Sequence, residues 1–240
     1  MKTLFHFGDS YGTVKNYEHN KHFCNHIADY LKMGYVSYAF GGLSNELIFT
    51  TILENLHNLK KNDKIFINFS FFSRGCFFDE DENKIKSTNT LFDEINNNKL
   101  YNSLTDIKLK RNVKDLVNYY IENPKDYNVR LFNLINLTFK YITEKNINIF
   151  FIFIENSDYS SNLLKYGTNL IFENGFGHWL LKNKFHLGED VHYTNGIQKM
   201  LADVLLRKTN NLKEDLKQNT IDISINDIDK TKIERSSKII

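Results

Sequence analysis

The stretch Thr3-Leu4-Phe5-His6-Phe7-Gly8-Asp9-Ser10 decides how this chain is read. A short, mainly apolar run leads straight into Gly-Asp-Ser, which is a strand stopping at a turn. Beyond it, Tyr17 to Leu31 carries Phe23, Ile27, Tyr30 and Leu31 at helical spacing, with Gly34 as the expected stop. Tyr35 to Phe40 reads as a second strand, broken by Gly41-Gly42. Ser44 opens a helix with Leu47, Ile48, Ile52, Leu53 and Leu56 on one face. Asp63 then leads into a third strand, Lys64 to Phe71, apolar on both faces apart from Asn68 and Ser70. Strands and helices alternating in this rhythm predict an α/β three-layer sandwich, a central parallel sheet with helices on both faces.

Residues 77–125 interrupt the rhythm. Polar runs at Asp79 to Glu82 and Asn96 to Asn98 lack periodicity, and Asp106 to Glu122 has the pattern of an amphipathic helix. This region reads as a mainly helical insertion over one edge of the domain. The rhythm resumes with a helix from Asn128 to Lys145 and a fourth strand from Asn148 to Ile154. Tyr159 to Lys184 has no clear pattern, with Gly167, Gly175 and Gly177 signalling loops, and Asn195 to Leu206 reads as the last core helix. The domain is therefore expected to span residues 1–208, followed by a polar extension over 209–240. Within that extension Ile221, Ile223 and Ile225 alternate with polar residues as a half-buried strand would. Such a strand could pair with a sheet edge of its own or of a neighbouring subunit, making a homo-oligomer one of the expectations.

Composition narrows the function. A chain of 240 residues, 41% hydrophobic and 25% charged, supports one sizeable core. Lys plus Arg number 31 against 29 Asp plus Glu, and this near balance argues against a dedicated nucleic-acid binder. No run approaches the roughly 18 apolar residues of a membrane span, and the start lacks the apolar segment of a secretory leader. Cys24 and Cys76 form neither a disulfide framework nor a zinc pattern, so a cytoplasmic protein is expected.

The chemistry concentrates at two places. Ser10 follows a strand in an α/β sheet, where ligands bind in such folds. A serine hydroxyl needs a base to act as a nucleophile, normally a histidine held by a carboxylate. The stretch Gly188-Glu189-Asp190-Val191-His192-Tyr193-Thr194-Asn195-Gly196, just before the last core helix, offers both.

Taken together, these blocks resemble the SGNH/GDSL hydrolase family. Gly8-Asp9-Ser10 is similar to its first block, Gly42 to the second-block glycine, and Asp190-Val191-His192 to the last block. The resemblance covers roughly residues 1–75 and 126–206. It implies a flavodoxin-like fold, Ser10 as nucleophile, His192 as base, and the N–H groups of Ser10 and Gly42 as an oxyanion hole. Asp190 is the favoured triad acid, with Glu189 the alternative that the commoner family spacing would select.

One departure stands out. The family's third block is usually Gly-x-Asn-Asp, and here that place reads Ser70-Phe71-Phe72-Ser73-Arg74. Losing an oxyanion donor costs about 3–4 kcal/mol of transition-state stabilisation, which makes Asn45, Asn68 and Ser70 candidate substitutes. Taken alone, Asn68 on an apolar strand reads more simply as a buried group bonded to a neighbouring loop. Arg74 serves equally well as an anion binder or an ion-pair partner.

The expected activity is that of a serine esterase acting on a small acyl ester, such as an O-acetyl group on a carbohydrate, without metal or organic cofactor. The same acyl-enzyme could serve an O-acyltransferase. A non-catalytic glycan-binding or structural module is the alternative from another class. His19, His22 and His26 could share a helix face, but Cys24 falls on another face of that helix and no carboxylate completes a metal set.

Overall fold

A computed structural model describes residues 2–9, 22–40, 42–72, 76–79, 84–87, 124–154, 159–172, 175–176, 195–208 and 219–221. Eight strands and five α-helices lie in this part of the chain. In chain order they are β1 (Thr3–Gly8), α1 (Phe23–Leu31), β2 (Gly34–Ala39), α2 (Asn45–Glu54), β3 (Lys64–Asn68), β4 (Cys76–Asp79) and β5 (Lys84–Ser87). There follow α3 (Pro124–Glu144), β6 (Asn148–Ile152), α4 (Ser160–Leu164), β7 (Asn169–Ile171), α5 (Asn195–Lys208) and β8 (Asn219–Ile221).

The main sheet has the order β2-β1-β3-β6-β7-β8, with every neighbouring pair parallel. Its first five strands follow the 2-1-3-4-5 order of doubly wound α/β folds. The predicted α/β sandwich is thus the observed architecture. Period-two alternation sends residues to opposite faces of the sheet. Leu4, Phe66, Phe150, Ile152 and Ile171 pack with Phe23 and Ile27 of α1 and with Leu201, Val204 and Leu205 of α5. Phe5, Phe7, Ile65, Ile67, Ile149 and Phe151 pack on the other face with Ile48, Phe49 and Ile52 of α2 and Leu131, Ile135, Phe139 and Ile142 of α3. Phe69 sits among the aromatic rings of this second core, 4.4 Å from Phe153 and 5.3 Å from Phe49 between ring centroids.

Local signals explain most element ends. Ser44 caps α2, its hydroxyl accepting from the Leu47 N–H at 3.4 Å. The buried Asp63 carboxylate accepts from the Thr3 N–H (2.8 Å) and the Lys60 N–H (2.7 Å), tying the start of β1 to the turn before β3. Gln198 of α5 accepts from the Phe23 N–H at 3.0 Å, so one helix supplies a cap to another far away in sequence.

Several details differ from the sequence reading. α1 ends at Lys32, which adopts φ 53° and donates to the carbonyls of Ala28 and Asp29; Gly34 is instead the first residue of β2. The buried stripe of α2 is Asn45, Ile48, Phe49 and Ile52, while Leu53 is 39% exposed. The third strand stops at Asn68 and the fourth at Ile152. The segment after Tyr159 that has no clear pattern contains α4 and β7, the latter only three residues long and too short to recognise. Within residues 77–125 the described residues are those of the antiparallel pair of β4 with β5 and the start of α3. The helix expected over Asp106 to Glu122 lies outside the described residues. In the extension, β8 pairs with β7 through Asn169 opposite Asn219 and Ile171 opposite Ile221, while Ile223 and Ile225 lie outside the described residues.

Candidate active site

β1 lies between β2 and β3, and the helices that follow β1 and β2 cover opposite faces of the sheet. The sheet therefore has its topological switch point beside β1, and ligands in such sheets bind in the crevice at the C-terminal ends of the strands there. Gly8 ends β1 directly opposite Asn68 of β3. A Cβ on Gly8 would stand 2.8 Å from the Asn68 Cβ and 3.1 Å from its carbonyl oxygen, so only glycine fits. Its own carbonyl accepts from the Phe40 N–H at 3.1 Å, holding the end of β2 alongside.

Past Gly8 the chain is fastened by a polar network. Asp9 is fully buried, and its carboxylate accepts from the Ser70 hydroxyl at 3.2 Å. The Ser70 N–H donates to Asn45 Oδ1 at 2.8 Å, and Asn45 Nδ2 donates back to the Ser70 carbonyl at 3.0 Å. The carboxamide mimics a peptide group and joins the first turn of α2 to the chain leaving β3. Asp9, Asn45 and Ser70 thus form one buried unit spanning β1, α2 and β3. Gly42, in the β2–α2 turn at the same end of the sheet, has φ +82°, with no described atom within 4 Å of a Cβ built on it. This conformation costs an ordinary L-residue about 1–2 kcal/mol.

Of the residues singled out from sequence, Gly42, Asn45 and Ser70 come to this end of the sheet. Ser10, Glu189, Asp190, His192 and Arg74 lie outside the described residues. The side-chain oxygen of Asn45 and one of its N–H donors serve the Ser70 backbone, and the Ser70 hydroxyl serves Asp9, so both side chains brace the crevice. Asn68 was expected to bond a neighbouring loop; its Oδ1 is buried with no hydrogen-bond partner among the described residues. The Asp9–Ser70–Asn45 network had one sequence signal, the polar residues Asn45 and Ser70 set at the ends of apolar elements.

A second polar cluster lies under α1, and it corrects the reading of the histidines. His22 is not on the helix face. It is the N-cap (φ −64°, ψ 153°), its Nδ1 accepting from the Cys24 N–H at 3.2 Å. Cys24 lies beside it rather than on a separate face, and His6 of β1 completes the group. The His6 and His22 rings stack with centroids 4.2 Å apart and planes 20° from parallel. Burial pushes the His6 imidazole down to about 3, keeping it neutral, and pushes the Cys24 thiol up. These three residues could hold a metal ion. His26 is on α1, and His19 lies outside the described residues.

No model of a known protein family matches the chain, and a search of curated proteins finds no matching relative. Among the described residues, no helix is long and apolar enough to cross a membrane.

Proposed function

We propose that the crevice at the ends of β1 and β3 belongs to an SGNH-type serine esterase acting on a small acyl ester, with an O-acetylated carbohydrate as the representative substrate. The observation that carries this reading is the Asp9–Ser70–Asn45 unit, which anchors the residue immediately before Ser10 at the switch point of a 2-1-3 sheet. A nucleophile needs a fixed backbone, and a buried carboxylate bonded across two strands supplies one. Ser10 Oγ attacks the ester carbonyl while His192 takes its proton and Asp190 stabilises the imidazolium. The negative oxygen of the tetrahedral intermediate accepts from the N–H groups of Ser10 and Gly42. His192 returns the proton to the departing alcohol, and water then releases the acyl group by the same route. An acceptor sugar hydroxyl in place of water would make the protein an acyltransferase.

A second reading, a glycan-binding module with weakened catalysis, is favoured by the Ser70 hydroxyl, which is spent on the Asp9 carboxylate and so is no spare oxyanion donor. A fluorophosphonate probe separates the two. The esterase reading expects stoichiometric covalent labelling of the full chain at Ser10, abolished in Ser10→Ala, together with hydrolysis of a short-chain aryl ester. A folded protein that takes no label, or labels equally in Ser10→Ala, overturns it.

A further inference from the structure

We propose that His6, His22 and Cys24 form a binding site for a transition-metal ion of the class that accepts imidazole and thiolate together, Zn2+ or Cu+. The three side chains come from β1, the N-cap of α1 and its first turn, and their donor atoms all lie within 4.8 Å of one another. All three are at most 2% exposed. Zinc–nitrogen bonds of about 2.0–2.1 Å and zinc–sulfur bonds of about 2.3 Å put coordinating atoms roughly 3.3–3.8 Å apart. Binding therefore needs a contraction of about 1 Å, together with rotation of the His6 and His22 rings out of their 20° stack so that a nitrogen of each faces one ion.

Two independent features point to a ligand. His6 Nε2 is buried with no hydrogen-bond partner among the described residues, an expensive state for a ring nitrogen in a core. The opposite nitrogen, Nδ1, lies 3.0 Å from the Tyr35 hydroxyl. A proton on Nδ1 donated to that oxygen leaves Nε2 as the unprotonated nitrogen, the arrangement in which metal-bound histidines are held by an outer partner. On loading, the Cys24 S–H bond breaks, its proton passes to the buffer, and a metal–sulfur bond forms. No redox change is involved, and the mixed nitrogen and sulfur donors exclude the oxygen-seeking ions Mg2+ and Ca2+.

The test uses the full chain stripped with a chelator, then titrated with Co2+, whose bond to a thiolate gives an intense near-ultraviolet charge-transfer band. The band is expected in the wild type and in Cys76→Ser, which removes the other cysteine, and is expected to be lost in Cys24→Ser. Zn2+ or Cu+ should displace Co2+, and the stronger competitor names the ion. His6→Gln keeps the thiolate and should weaken binding at least about tenfold, while Tyr35→Phe should weaken it roughly tenfold through loss of the outer partner. Circular dichroism establishes that each variant is folded. If Cys24→Ser does not fold, His6→Gln and Tyr35→Phe decide the matter. No band in the wild type, a band persisting in folded Cys24→Ser, or unchanged affinity in both His6→Gln and Tyr35→Phe overturns the site. None of these readouts uses esterase activity, so the outcome is independent of the Ser10 assignment.

Discussion

Asn45 illustrates how much one side chain can carry at the residue scale. Its carboxamide satisfies both the N–H and the carbonyl of Ser70, in a place where water has little access. Asn45→Ala leaves two buried backbone groups without that partner, so unfolding free energy should fall by about 2–4 kcal/mol in urea titration. A loss under about 1 kcal/mol would mean that the bracing is dispensable. The triad acid also belongs to this scale. Asp190→Asn should slow ester turnover by about 10⁴-fold, since an amide cannot stabilise the imidazolium, whereas Glu189→Gln should have a small effect. The reverse ranking in kcat would transfer the role to Glu189.

At the scale of elements, α3 and α4 are joined by Tyr159. Its ring stacks on Phe132 at 4.1 Å between centroids, and its hydroxyl donates to the Phe132 carbonyl at 2.9 Å. Burial, and secondarily Tyr166, hold its phenol well above the ordinary tyrosine range. The folded state therefore keeps a proton that the unfolded chain releases above about pH 10, and stability falls as pH rises through that region. Tyr159→Phe should cost about 1 kcal/mol at neutral pH through the lost hydrogen bond. It should also lose less stability at alkaline pH, so the two denaturation curves converge above pH 10. Curves that stay parallel there would contradict the role given to Tyr159.

For the whole molecule, β8 extends the sheet on the side away from β2, three strands beyond the β1–β3 crevice. Deleting residues 209–240 should lower the melting temperature, because β7 then becomes an uncovered edge. An open edge invites pairing with another chain, so light scattering should show a rise in association. Fluorophosphonate labelling of Ser10 should persist, since the crevice is built from β1, α2 and β3. A truncated protein that folds but takes no label would mean that the extension contributes to the site.

The alternation of short apolar strands with amphipathic helices was enough to predict the parallel sheet and the helices α1, α2, α3 and α5, because each helix carries an apolar face repeated at the period of its own backbone. Gly8-Asp9 at the end of β1 was equally legible, since a strand running into a glycine turn is a local event. β7 has only three residues, so pairing with its neighbours rather than its own pattern makes it a strand, whereas β8 ends at Ile221, the first residue of the alternation read in the extension. The end of α1 at Lys32 was likewise hidden, because a left-handed residue closes the helix without the usual glycine. Distance along the chain concealed the rest. Asp9 meets Ser70 across 61 residues, Asn45 meets Ser70 across 25, and the Phe23 N–H meets Gln198 across 175. His6, a polar residue within the apolar run before Gly8, joins His22 and Cys24 only when α1 folds down onto β1. Periodicity reports which face an element buries; which polar groups meet beneath it depends on how the faces are stacked.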